Sequence, residues 1–297
     1  MSLMEQMMKI KMEEESKTQS KVAKKKKSKK KKGKKGATLT YSHTVENHVG
    51  MEILGDNTKG KGKTVEELIQ CAKNIKERYP EADCYVKLLN DYLPEGKNCE
   101  VLAGVLVFKD GVNHILRKIG KSSVDLFNEH DVLEKDTKYF DTRRQKVLNK
   151  HARHNLCFKD NDQKPDYENK KGTVVSFNRL PLTKYVREEF EIIFGEKDLN
   201  CEGNYYYDLL KTGIGFHGDS ERLDVYGARI GEDNESGFPL HFQWYQNRQR
   251  IGERCIFDLK NGDIYSMSKK ATGYDWKKSA NNILTLRHAA GCDKYLK

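Results

Sequence analysis

The chain reads as an α+β protein that is mainly β, a sandwich or barrel of short strands with flanking helices behind a lysine-rich N-terminal tail. Three observations carry this reading. Downstream of Gly203, short strand-like segments alternate with turn formers, the spacing of an all-β sandwich or barrel. Two capped, helix-periodic segments precede them. Ten lysines crowd into Lys24–Lys35, broken only by Ser28 and Gly33.

The lysine run accounts for almost all of the +11 net charge, so the basic character belongs to the tail and not to the body. Such a run buries no core and repels itself, and residues 1–36 are expected to be disordered. It reads as a nuclear-import signal or a phosphate-binding arm, with plain solubilisation as the alternative. At 36% hydrophobic and 33% charged, with no run of eighteen apolar residues, the composition excludes a membrane-spanning helix. The polar Met1–Ser20 segment lacks the apolar stretch of a secretory signal, so an intracellular protein is expected, with the lysine-rich tail as its route to the nucleus. Seven widely spaced cysteines without a Cys-x-x-Cys pair argue for free thiols and against a zinc ribbon or disulfide scaffold.

Residues 37–63 read as extended structure and loops. Thr64–Tyr79 reads as a helix, with Thr64 and Glu67 at capping-box spacing, Leu68, Cys71, Ala72 and Ile75 on one face, and Pro80 as the stop. Val101–Phe108 reads as a strand entering a tight turn at Asp110-Gly111. Leu182–Phe194 reads as a second helix ended by Gly195. The strand set is Asn204–Leu210, Gly213–His217, Val225–Ile230, Leu240–Tyr245, Arg254–Leu259, Asp263–Met267 and Ile283–His288.

The chemistry-bearing motif is His217-Gly218-Asp219. Two residues apart at a strand end, a histidine and a carboxylate converge on one ion, and two histidines plus one carboxylate form the facial triad of non-haem iron oxygenases. The surrounding Asn204-Tyr-Tyr206 and Ile214-Gly-Phe-His217-Gly-Asp219-Ser-Glu221, the downstream Gly262-Asp263 strand, and the closing Ile283-Leu-Thr285-Leu-Arg287 together resemble the AlkB family of nucleic-acid dealkylating dioxygenases. The resemblance covers roughly residues 140–291 and keeps the motif order. It implies a double-stranded β-helix (jelly-roll) domain over 140–297, with 37–139 as an N-terminal extension packing on it. It implies Fe(II), 2-oxoglutarate as cosubstrate, and hydroxylation of a C–H bond with release of succinate and carbon dioxide. Asn204 and Tyr206 would hydrogen-bond 2-oxoglutarate, and Arg287 would pair with one of its carboxylates, a bidentate task suited to guanidinium. With Leu284 and Leu286 packed outward, Thr285 and Arg287 would point into the barrel.

The chain departs from the family in two places. No histidine follows the Gly-Asp strand in Thr272-Gly-Tyr-Asp275-Trp276, and Asn281 stands where the family carries a second arginine. The third ligand is then His288, Asp275 or none. His288 is taken as the ligand, although alternation sets it opposite Arg287 unless a bulge intervenes. The loop His151-Ala-Arg153-His154 falls where the family contacts substrate and reads equally as a solvated basic loop. Phe242 reads as core, and its same-face neighbour Trp244 is a candidate for stacking on a base. His43, His48, His114 and His130 are expected to be unrelated to iron. The partner expected is DNA or RNA, bound by a monomer. The rival readings are a hydroxylase of a protein or small molecule and an inactive nucleic-acid-binding module.

Overall fold

Gly36–Ser42 (β1) alternates Ala37, Leu39 and Tyr41 with Thr38, Thr40 and Ser42, so one face is apolar and the other hydroxylated. That strand sits in the middle of the main sheet. A computed structural model describes residues 33–297, and Lys34–Lys297 form one compact unit. The remaining strands are β2 (Thr44–Glu46), β3 (Ile53–Gly55), β4 (Cys84–Leu88), β5 (Gly104–Phe108), β6 (Lys138–Asp141), β7 (Lys146–Asn149), β8 (His154–Lys159) and β9 (Val174–Ser176). They continue as β10 (Asn200–Tyr206), β11 (Gly213–His217), β12 (Val225–Gly231), β13 (Leu240–Gln246), β14 (Gln249–Phe257), β15 (Ile264–Met267) and β16 (Thr285–Gly291). The helices are α1 (Val65–Arg78), α2 (Gly111–Leu116), α3 (Ser123–Asp131) and α4 (Pro181–Phe194).

The fold is mixed α+β and sheet-rich. An eight-stranded sheet runs β4-β5-β15-β12-β1-β10-β8-β9 and a four-stranded sheet runs β11-β16-β13-β14; among the described residues they do not close into a barrel. Two cores follow from strand alternation. Leu39, Tyr41, Ala228 and Ile230 on one face of the large sheet pack under Leu68 and Ile75 of α1, Phe127 of α3 and Phe190 of α4. Val105, Val107, Val225, Tyr265 and Met267 on the other face meet Leu240, Phe242, Trp244, Phe257 and Leu286 of the small sheet. Each such side chain contributes about 1.5–3 kcal/mol by leaving water.

Residues 37–139, expected as an extension packing on a separate core, supply β1, β4 and β5 to the same sheet as β10, β12 and β15. The tail expectation falls mainly on residues 1–32, outside the described residues. Its end belongs to the fold: Lys34 pairs with Asp233, Lys35 with Asp131, and Gly36 opens β1. The turn expected at Asp110-Gly111 lies at Lys109-Asp110, with Asp110 left-handed at φ 52°, and it leads directly into α2 at Gly111. The seven cysteines are free thiols. No helix among the described residues is long and apolar enough to cross a membrane.

Thr64 caps α1 with the reciprocal bonds its spacing predicts: the Glu67 amide donates to Thr64 Oγ1 (3.2 Å), and the Thr64 amide donates to Glu67 Oε2 (2.7 Å). Thr64→Ala removes the Oγ1 acceptor of the Glu67 amide and so one half of the reciprocal pair. We expect it to lower the unfolding free energy by about 1 kcal/mol at unchanged m-value in urea denaturation; an unchanged midpoint contradicts the cap's role.

Candidate metal centre

The centre is built by one irregular strand pair. β11 runs antiparallel to β16 with Ile214 opposite Ala290 and His217 opposite His288, so β11 carries an extra residue between those pairs. This bulge resets the alternation of β11. Ile214 and His217 therefore both face inward, and the His217 and His288 rings lie 4.4 Å apart. Asp219 follows at once, with its amide donating to Thr272 O (2.9 Å). Gly218 permits that contact, since a Cβ there would sit 2.2 Å from Gly273 O.

His217 Nε2 and His288 Nε2 lie 3.5 Å and 3.6 Å from Asp219 Oδ1. One ligand atom from each of the three residues falls within 4.8 Å of the others, the only such His/Cys/Asp/Glu group among the described residues. Ligand atoms about 2.1 Å from an ion on one octahedral face are about 3 Å apart, so a small inward shift seats a divalent ion. The protonation pattern suits it. His217 Nδ1 donates to Gly215 O (2.8 Å), which leaves the Nε2 lone pair facing Asp219. Burial first, then His217 and Arg222, hold His288 well below the usual histidine range, so it stays neutral, the form that ligates metals.

The second oxygen of Asp219 belongs to an ion-pair network. Arg222 Nε lies 3.4 Å from Asp219 Oδ2, and Arg222 Nη2 donates to Glu202 Oε2 and Glu221 Oε1, both at 2.7 Å. One guanidinium thus faces three carboxylates. The excess negative charge is felt nearby: burial first, then Glu221, pushes Glu46 up to about 7. Burial, with Asp219 and Glu202 adding to it, also raises Glu221. An added cation relieves this repulsion.

Asp275, the alternative third ligand, is committed elsewhere. Its Oδ2 accepts from Lys270 Nζ at 2.7 Å, with both side chains buried. Arg287 is a correction. Leu286 packs into the inter-sheet core opposite Trp244, so His288 faces inward while Arg287 lies on the opposite face of β16. Its guanidinium sits 4.0 Å from the Tyr245 ring centroid and 5.0 Å from that of Trp276. The leucine that was expected to pack outward packs inward, and the strand's parity follows it. Trp244 is a second correction. It is 1% exposed and donates Nε1–H to Leu89 O (2.7 Å), so it is core, like Phe242, and offers no face to a base.

Asn204 and Tyr206 lie on the inner face of β10. Asn204 Oδ1 accepts from Arg153 Nε (2.5 Å) and Asn155 Nδ2 (2.7 Å), while Tyr206 packs edge-on against Phe238. The His151–His154 loop is docked on the strand of His217, because the Gly213 amide donates to Ala152 O (3.1 Å). His151 is exposed, and His154 stacks on Tyr207 at 4.8 Å. The Thr44–Met51 segment borders the same region. Buried Lys150 donates to Asn47 Oδ1 (2.6 Å) and Asn155 Oδ1 (3.0 Å), and burial pulls Lys150 down to about 7. Sequence reasoning missed Arg222 and Glu202; the available signal was Glu221-Arg222 directly after the triplet. Of the other histidines, His43 Nδ1 pairs with Asp224 Oδ2 (2.8 Å) and His130 Nε2 with Thr183 Oγ1 (2.8 Å).

His217→Ala, Asp219→Ala and His288→Ala are each expected to weaken Fe(II) or Mn(II) binding roughly 100-fold or more, beyond what loss of an outer-shell partner costs. Asp275→Asn should leave it within about threefold, below the outer-shell range. Anaerobic calorimetric titration reads both, and a reversed order of His288 and Asp275 contradicts the assignment.

No family model matches the chain. It is 44% identical over 267 residues to an uncharacterized protein, R156, of Acanthamoeba polyphaga mimivirus, an alignment that covers 89% of this chain and 98% of that protein. The chain belongs to the same family as that mimivirus protein.

Proposed function

We propose that the chain is an Fe(II)- and 2-oxoglutarate-dependent oxygenase with a double-stranded β-helix core, hydroxylating an alkylated nucleic-acid base. The observation that carries this reading is the convergence of His217, Asp219 and His288 inside a two-sheet sandwich. Two imidazoles and one carboxylate are the donor set that suits iron(II), and such a set would leave further positions on the ion free for oxygen and a 2-oxo acid. A bound iron(II) would supply oxygen activation coupled to oxidation of the 2-oxo acid.

The protein's own contribution is positional and electrostatic. The Gly215 carbonyl fixes the His217 tautomer, and Arg222 holds Asp219 Oδ2 so that Oδ1 faces both imidazoles. The apolar wall of Phe242, Trp244 and Leu286 excludes water behind the site. His217 is the most accessible of the three, its side chain 28% exposed against 11% for Asp219 and 8% for His288, so substrate approaches from its side. His151, Arg153 and His154, docked on the same strand, supply hydrogen-bond donors for phosphate there. The lysine run, largely outside the described residues, would add sequence-independent attraction to a polyanion and direct the protein to the nucleus. If the substrate is an N-methylated base, the hydroxylated methyl leaves as formaldehyde.

Succinate release measured by mass spectrometry tests the reading. With Fe(II), 2-oxoglutarate and oxygen, N-methylated DNA or RNA oligonucleotides should stimulate succinate formation by the wild type and not by His217→Ala. Stimulation by peptides alone transfers the chemistry to a protein substrate. Succinate no higher than in His217→Ala under every condition ends the oxygenase reading.

A further inference from the structure

Arg229 is 1% exposed and lies in the centre of the eight-stranded sheet, yet among the described residues no carboxylate pairs with it. Its Nη1 donates to Thr38 Oγ1, its guanidinium sits 4.5 Å from the Phe238 ring centroid, and its Nε is buried without a hydrogen-bond partner. A guanidinium in that state is costly to bury. The contrast with Arg222 is direct, since that residue is held by Glu202, Glu221 and Asp219. The same interior therefore holds one arginine supplied with anions and one without.

Position ties Arg229 to the centre. In register across four strands, Asn155, Asn204, Thr38 and Arg229 form one polar row on the inner face. Two residues along β12, Gly227 lies beneath the ring of Tyr265; a Cβ there would meet that ring at 2.2 Å. Tyr265 is pushed up to about 12 by burial first, with Arg229 pulling the other way and Tyr206 and Asp219 adding to the rise. The row reaches the centre through hydrogen bonds: Asn204 Nδ2 donates to Glu202 Oε1 (2.9 Å), and Glu202 Oε2 accepts from Arg222, the guanidinium that faces Asp219.

We infer that Arg229 is the anchor for the distal carboxylate of a dicarboxylic 2-oxo acid, the role that sequence resemblance gives to Arg287. The inference rests on the oxygenase reading above. A planar fork with an unused N–H edge accepts a carboxylate bidentately, and Asn204 lies in the same row. The ligand enters by displacing Phe238, the ring that covers the guanidinium from the connection between β12 and β13. Selectivity follows from burial: a monocarboxylic analogue leaves the charge unpaired, so the site rejects it.

The test is calorimetric titration of the Mn(II)-loaded, oxygen-free protein with 2-oxoglutarate and with 2-oxopentanoate, which lacks the distal carboxylate. The wild type should prefer 2-oxoglutarate by roughly 100-fold. Arg229→Met should reduce that preference to about threefold or less by removing the buried charge, while 2-oxopentanoate binding is retained. The apo variant should melt at or above the wild-type temperature, because an unpaired buried charge has been removed. Arg287→Met should keep the wild-type preference. Where Arg229→Met fails to fold, Arg229→Lys replaces it: losing the fork lowers 2-oxoglutarate affinity about tenfold and spares the monocarboxylate. A wild-type preference retained in the folded Arg229 variant, or lost in Arg287→Met, overturns the inference alone. A wild type that binds Mn(II) and neither oxo acid overturns the oxygenase reading and this inference together.

Discussion

The guanidinium of Arg222 organises the polar half of the sandwich interior. It reaches Glu202 on β10, its neighbour Glu221, and Asp219 beside β11, and so ties both sheets to one charge centre. Burial alone pushes Glu202 up, but Arg222 and Arg153 hold it below the usual range. Removing one member of such a network leaves its partners uncompensated, at about 3–5 kcal/mol. The network also explains why the His217-Gly-Asp219 turn has a fixed orientation, since Arg222 takes one oxygen of Asp219 and leaves the other for the imidazoles.

This arrangement divides the inter-sheet space. Around Phe242, Trp244, Leu286 and Met267 it is apolar and closely buried. Around Asn204, Glu202, Arg222 and Arg229 it is polar and nearly all buried. The His217–Asp219–His288 cluster sits where the two halves meet, with the Phe242 ring centroid 6.0 Å from that of His288. A metal held there would gain from low dielectric on one side and fixed charges on the other.

Legibility in the sequence tracked punctuation. The Thr64–Glu67 box, Pro181 with Gly195, and the turn formers around His217 gave α1, α4 and the strand series from β10 onward within a few residues. β1 falls in the stretch read as extended structure and loops, and its strand boundaries are undefined in the sequence because its hydroxylated inner face looks solvated and it follows directly on the lysine run. Strand parity was the harder problem. Both faces of β16 are largely buried, so alternation alone left open which of Arg287 and His288 points inward. The bulge in β11, which sets His217 across from His288, is a tertiary outcome with no local signature. Arg229 escaped notice for a related reason: a charged residue in a strand is ordinarily read as facing solvent. The mimivirus relative extends the family over nearly the whole chain, consistent with β1, β4 and β5 belonging to one sheet with the strands of the centre.

In the proposed centre, His217, Asp219 and His288 hold an iron(II) that also binds a 2-oxo acid. Anaerobic titration of the chain with Fe(II) and then 2-oxoglutarate, followed by visible absorption, tests this. A charge-transfer band that saturates at one equivalent of iron and is absent in His288→Ala is expected. Iron bound without any band on adding 2-oxoglutarate, or a band unchanged in His288→Ala, contradicts it.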